Sequence, residues 1–276
     1  MIIFLLLLAL PALAQMAQNP SPMVEHTRPH PRLPQQTATG ARHPLEIGTL
    51  FLPPKMPRNK TLLIFFHGGT WLPEVAAAKH KMAAISIQVG AGSDTYAQAF
   101  ADPARFRKLV GEAEDQSKAH FSKIVLGGWS AGCGAVRELL RTPDIYSRVN
   151  TVLCIDGMHA GYVNGKPGPQ ESELDPANLD IWLQLGKDAM AGKKQFIVTH
   201  SEIFPGTFAS TTETADYVVK MLGLPLKPVL KQGPMGLQQL GQAQKGKFLL
   251  MGFAGNSAPD HVDQMQALPE WLRLVK

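Results

Sequence analysis

Seven stretches of nearly uninterrupted apolar residues recur along the chain from Leu45 onward. They are LEIGTLFL (45–52), TLLIFF (61–66), AAISIQV (83–89), KIVLGG (123–128), TVLCI (151–155), QFIVT (195–199) and KFLLMGF (247–253). Each has strand length and a high content of β-branched or aromatic residues. Between them the period changes to that of helices. Asp102-Pro103 opens ARFRKLVGEAEDQ, an N-cap followed by proline at the first helical position. AGCGAVRELLRT and LDIWLQLGKDAM follow, and STTETADYVVKML begins with a Ser210/Glu213 capping box. DHVDQMQALPEWLRLV closes the chain. Strands alternating with helices, and apolar on both faces, predict an α/β fold: a mostly parallel central sheet with helices on both faces. No internal repeat is visible, so residues 44–276 read as one domain.

Ahead of this domain the pattern breaks twice. Residues 15–43 are rich in Pro, Gln, Thr and His without periodicity. They read as a flexible leader, with His26, His30 and His43 as solvated tail residues rather than metal ligands. The opening MIIFLLLLALPALAQ has an apolar core at 2–10 and the small-x-small string Ala12-Leu13-Ala14, the mark of a cleavable signal peptide over 1–14. It is too short to span a bilayer, which takes about 20 apolar residues. The expectation is export, secreted or periplasmic, with no stable membrane anchor.

Composition changes this picture little. With 45% hydrophobic and 18% charged residues, the chain has enough apolar material for a sizeable core. The formal charge of +5 is spread along the chain without a basic stripe or nucleic-acid motif, so nucleic acid is not an expected partner. Cys133 and Cys154 fit a disulfide in an oxidising compartment or two small buried thiols, and no zinc-type Cys/His spacing occurs. Oligomeric state is not legible.

The chemistry concentrates at GGWSAGCGAV (127–136), directly after KIVL. A strand feeding a helix through so tight a turn holds its apex residue in a strained conformation, with the side chain projecting beyond the sheet. Gly128 and Gly132 fit because a Cβ two residues either side of the apex would collide with neighbouring backbone. Ser130 then points into the crevice at the strand C-termini, where α/β proteins hold ligands. The helix N-terminus behind it presents N–H groups to a developing anion. Upstream, TLLIFFHGGTW (61–71) ends a strand in His-Gly-Gly. The N–H groups of Gly69 and Ala131 are candidates for an oxyanion hole, with Thr70 as a third; a mere strand exit is the plainer reading of His-Gly-Gly alone. For the base, His261 follows the last strand in AGNSAPDHVDQM, just before the final helix.

In this order, HGG at 67–69, GWSAG at 128–132 and His261, the chain resembles the α/β-hydrolases, in particular their esterase and lipase branch, over roughly residues 45–276. The resemblance implies an eight-stranded type of sheet, a Ser–acid–His triad and no cofactor. It also implies an acid after the strand two beyond the nucleophile strand, where Glu202 is the nearby carboxylate. The local proline, Pro205, points instead to Ser201, which cannot serve. The alternative position in such proteins, the tip of the preceding strand, holds Asp156. Asp156 is preferred, although Asp-Gly can be a turn, and Glu202 stays open as the alternative acid.

The combined expectation is an exported serine hydrolase cleaving a small-molecule or lipid-like carboxylic ester through an acyl-enzyme. Trp71, Leu72, Met158, Tyr162 and Phe204 flank the site loops and either line an apolar substrate pocket or belong to the core. The polar stretch 162–180 is a small lid or a surface loop. Two other readings stand beside this one: a hydrolase-fold binding or scaffold protein without turnover, and a serine peptidase or amidase. A nucleotide-binding Rossmann protein does not fit the glycine spacing of GGWSAGCG.

Overall fold

The computed structural model describes residues 29–57, 60–165 and 173–276. The signal segment expected over 1–14 lies outside them, as do residues 15–28 of the expected leader and the middle of the 162–180 stretch.

The strands are β1 (Ala41–Pro44), β2 (Thr49–Leu52), β3 (Thr61–Phe66), β4 (Ala83–Ile87), β5 (Lys123–Trp129), β6 (Thr151–Ile155), β7 (Gln195–His200), β8 (Lys227–Gln232), β9 (Gln238–Lys245) and β10 (Phe248–Phe253). They form one sheet in the order β1-β2-β4-β3-β5-β6-β7-β10-β9-β8. From β4 through β10 the neighbours run parallel, and the β1–β2 pair joins antiparallel at one edge. The parallel strands are the continuous apolar runs; every residue of β4, β6 and β7 is buried, as a strand covered on both faces requires.

Alternation along each strand divides the core into two layers. Leu62, Ile64 and Phe66 of β3 face one way, together with Ile124, Leu126, Val152 and Phe196. That layer is covered by α2 (Ser93–Ala99), α3 (Pro103–Ser117), α4 (Cys133–Leu140), α5 (Pro143–Arg148), α6 (Asp180–Met190) and α7 (Thr211–Met221). Leu63 and Phe65 face the other way with Val125, Leu153 and Ile197, under α1 (Trp71–His80), α8 (Ala258–Gln266) and α9 (Leu268–Trp271). Each of these fully buried aliphatic and aromatic side chains contributes about 1.5–3 kcal/mol to the folded state.

Two features differ from the sequence expectation. The sheet has ten strands, because β8 and β9 add an antiparallel hairpin beyond β10. The described part of the expected flexible leader is packed against the domain. His30 Nδ1 lies 2.8 Å from Asp263 Oδ2, Arg32 bonds the same carboxylate, and the Leu33 N–H donates to Gln266 at 2.7 Å. Further on, β1 includes Arg42, whose Nε donates to Glu74 at 2.9 Å. Side-chain pairing to buried acids on α1 and α8 does here what apolar periodicity does elsewhere. Among the described residues no helix is long and apolar enough to cross a membrane.

Candidate active site

Three neighbouring strands, β3, β5 and β6, each end in a non-glycine residue with a left-handed backbone: His67 (φ 72°), Ser130 (φ 49°) and Asp156 (φ 42°). Such conformations cost on the order of 1–3 kcal/mol each and persist only where the surroundings impose them. At Ser130 the imposing elements are its flanking glycines. A Cβ on Gly132 would lie 2.1 Å from the Phe66 carbonyl oxygen, and one on Gly128 would lie 2.8 Å from the Cys133 nitrogen. The apex is thus wedged between β3 and the start of α4, as the spacing of GWSAG requires. A single 3₁₀ turn, Ser130–Gly132, passes directly into α4.

Beneath the apex, Cys133 and Cys154 are free, buried thiols whose Sγ atoms lie 2.9 Å apart. Burial pushes the Cys133 thiol well above its ordinary range, which leaves it protonated and unreactive.

The geometry separates the two candidate acids. Asp156 is 1% exposed, and its Oδ2 lies 2.7 Å from His261 Nδ1. The other carboxylate oxygen accepts from the Ser201 N–H at 2.9 Å and the Thr211 hydroxyl at 2.6 Å. Burial alone would raise the Asp156 pKa. The bond and charge of His261, with Thr211 and Ser201, outweigh it and hold the carboxyl well below the usual carboxylate range. Thr211 is the first residue of α7, so a helix N-terminus also faces this anion. Glu202 is exposed and engaged elsewhere, its backbone N–H and carboxylate clasping Gly255. No hydrogen bond joins it to a histidine among the described residues.

His261 sits one turn inside α8 rather than ahead of it. Its helix is fixed by a capping box in which the Ser257 hydroxyl donates to Asp260 at 2.6 Å. Trp129, the residue before Ser130, braces it from the side. The indole N–H donates to the His261 carbonyl at 3.0 Å, and the rings lie 4.6 Å apart. On its other face Trp129 stacks on His67 at 5.0 Å and 14°. The His67 pKa is lowered by burial and by the charge of His261.

Two cavities open at Ser130. The smaller, about 120 Å³, brings Ser130, His261 and Asp156 together under Ile203, Pro205 and Phe208. The larger, about 560 Å³, has Ser130, Ala131, His67, Arg137 and His159 in its wall. Gly69 and Thr70 line neither cavity. Both are exposed at the entry to α1, where the Gly69 carbonyl accepts from Leu72 and the Thr70 carbonyl from Ser86. Of the three expected oxyanion donors, Ala131 follows Ser130 directly and shares the wall of the larger cavity with it. The two readings left open for the apolar residues near the site loops are also separated. Leu72 and Met158 are core, Tyr162 bonds Glu213, and neither these nor Trp71 and Phe204 line the cavities. A separate, largely apolar cavity of about 630 Å³, with Leu33, Phe253 and Trp271 in its wall, contains no nucleophile–base pair.

Sequence pattern does not single out Trp129, Thr211, His159 or Arg137. The available signal for Trp129 is its place in the sequence, directly before the apex residue Ser130. The others are brought in by tertiary contact alone.

The chain has the α/β-hydrolase fold. Among solved structures it is similar to DphMB1, with a TM-score of 0.51 and 13% identity over 87% of this chain and 88% of that one. It is also similar to an arylesterase (TM-score 0.47, 14% identity, 88% of this chain and 85% of that one). A third is an acetyl xylan esterase from Aspergillus awamori (TM-score 0.45, 12% identity, 82% and 93%). No family model matches the chain, and no curated protein matches it.

Proposed function

We propose that the protein is an exported serine hydrolase that cleaves carboxylic esters, with Ser130 as nucleophile, His261 as base and Asp156 as the acid. The observation that carries this reading is the 2.7 Å contact between the buried Asp156 carboxylate and His261 Nδ1, with both groups and Ser130 in one cavity wall. A carboxylate on Nδ1 fixes the tautomer that leaves Nε2 as proton acceptor. The Ser130 hydroxyl gives its proton to His261 as Oγ attacks the carbonyl carbon. The alcohol leaves with that proton, and water, deprotonated by the same imidazole, cleaves the acyl-enzyme to the free acid. Ala131 N–H, at the N-terminus leading into α4, is the assigned donor to the tetrahedral oxyanion. A donor of this kind is worth on the order of 100–1,000-fold in rate.

A neutral ester of an activated alcohol, 4-nitrophenyl valerate, tests the reading. Wild-type turnover lost in Ser130→Ala supports it. Folded wild-type protein that leaves the ester intact favours the binding-protein reading, and cleavage of peptides but not esters favours the peptidase. Export is tested separately, by locating the full-length chain after expression and sequencing its N-terminus, with Gln15 expected.

A further inference from the structure

The larger cavity at Ser130 contains a cation whose partners do not match its charge. Arg137 lies on α4, about two helical turns past Ser130, and is half-buried. Its Nη1 donates to the carbonyl of His159 at 3.2 Å and to Asn178 Oδ1 at 3.5 Å, both neutral acceptors. Arg32, Arg42, Arg107 and Arg148 each bond a carboxylate; Arg137 bonds none among the described residues. Its Nε is buried without a hydrogen-bond partner, and so is Nδ1 of His159 in the same wall. Polar atoms orphaned on two neighbouring side chains of one cavity call for an explanation, and a polar ligand is one.

The electrostatics point to the sign of that partner. Removing a guanidinium from water without an opposing charge is costly, and a bound anion offsets that cost. The acidic group in the wall is Asp94. It is exposed, and no ion pair joins it to Arg137. Burial above all, and then Arg141, oppose the Arg137 charge, while the fields of Asp94 and of the neighbouring Glu138 favour it only in part, the net shift being downward. A guanidinium remains charged regardless. His159 is held neutral near pH 7, because burial pushes it down to about 4. It supplies a hydrogen bond rather than a second charge.

We propose that this cavity is an anion subsite, in which Arg137 and His159 receive a carboxylate carried by the ester substrate a few atoms from the scissile carbonyl. The proposal rests on Ser130 being the nucleophile of an ester hydrolase. It narrows the substrate from esters in general to carboxylate-bearing esters. A volume of about 560 Å³ accommodates a short acyl or alcohol chain together with its charged end.

The test uses ester pairs that differ in one charge. Mono-4-nitrophenyl glutarate and 4-nitrophenyl valerate place a carboxylate or a methyl at the end of the same acyl chain. The acetate esters of 3-hydroxybutyrate and of its amide do so on the alcohol side, with a carboxylate against a neutral amide. Wild type should prefer the anionic member of at least one pair in kcat/KM. Arg137→Met should lower that anionic-to-neutral ratio at least tenfold, mainly through KM, and Arg137→Lys should restore part of it. Asp94→Asn, which removes the competing charge at the rim, should raise the ratio; it serves if Arg137→Met does not fold. No anionic preference in either pair, or a ratio in Arg137→Met within threefold of wild type, overturns the subsite while leaving the esterase reading intact. If wild type cleaves none of the esters, the esterase reading fails first, and calorimetry with monomethyl glutarate decides the subsite. Binding weakened tenfold or more by Arg137→Met supports it, and no binding to wild type overturns it.

Discussion

Gly157 follows Asp156 immediately and lies against the Ser130 turn, so a methyl group there tests how rigidly the site is built. A Cβ on Gly157 would stand 2.4 Å from the Ser130 carbonyl oxygen and 2.7 Å from the Ser130 nitrogen and Cys133 Sγ. Ordinary contact begins at 3.4 Å, so the β6 tip and the turn must separate by about 1 Å. Two of the three opposing atoms are backbone, so no side-chain rotation relieves the clash. Overpacking of this kind costs about 1–3 kcal/mol, which for a chain of this size lowers the melting temperature by roughly 2–12 °C. The catalytic penalty is larger, because about 1 Å of misplacement at reacting groups costs on the order of 100-fold. Ester turnover and thermal denaturation of Gly157→Ala should therefore show a folded protein with a melting shift in that range and activity down about 100-fold. Gly111→Ala, in the middle of α3 with nothing within 4 Å of its added Cβ, is the control and should gain slightly in stability. Full activity in Gly157→Ala would refute the claim that β6 and the turn hold each other in place.

Asp156→Asn should lower kcat by on the order of 10³–10⁴-fold, whereas Glu202→Gln should stay within a fewfold of wild type in the same ester assay. The reverse order would move the acid to Glu202. The Asp156 carboxyl is held low in the fold, so the stability it contributes is complete above the unfolded carboxylate value, about 3.9, and is lost as pH falls below it. Urea unfolding at pH 7 and pH 3 should show the deficit of Asp156→Asn narrowing at the lower pH; a constant deficit contradicts this. His159 has a folded pKa of about 4, below its unfolded value, so its contribution is complete above about 6.5 and lost as pH falls toward 4. Replacing it by Gln should flatten the stability curve in that window by up to about 1.4 kcal/mol per pH unit, and an unchanged slope in urea titrations would count against it. Ser257→Ala removes the cap of α8 and should cost about 0.5–2 kcal/mol in urea unfolding. It should also reduce kcat more than it changes KM, since α8 carries His261; unchanged kcat would show that the helix is held by other contacts.

Apolar periodicity locates the parallel centre of the sheet because those strands are buried on both faces and leave continuous runs. It cannot locate β8 and β9. KPVLKQ is almost wholly exposed, and in QQLGQAQK the buried alternate positions are Gln239, Gly241 and Ala243, which carry little hydrophobic signal. Helices α1, α2 and α5 escape it for related reasons. WLPEVAAAKH buries small alanines in place of larger apolar residues along much of its face, and the other two helices are short. Sequence order brings Ser130 and His261 forward as candidates, because a tight strand-to-helix turn and a histidine after the last long apolar strand have local signatures. The ring stack of His67, Trp129 and His261 and the Thr211 bond to Asp156 have none. The Thr211–Asp156 and Trp129–His261 bonds join residues 55 and 132 positions apart, through strand order and helix docking rather than local pattern. The leader reads as loose because its anchors, His30, Arg32 and Arg42, are polar residues that find buried acids, a complementarity invisible until α1 and α8 are in place.

An activated Ser130, driven by His261 and Asp156, should react with an organophosphorus probe. The most direct test is labelling of the purified protein with a fluorophosphonate, followed by peptide mass spectrometry on wild type, His261→Ala and Asp156→Asn. Phosphonylation should be confined to Ser130 in wild type, abolished in His261→Ala and slowed by orders of magnitude in Asp156→Asn. Folded wild-type protein that resists the label, or that takes it on another residue, would contradict the activation of Ser130.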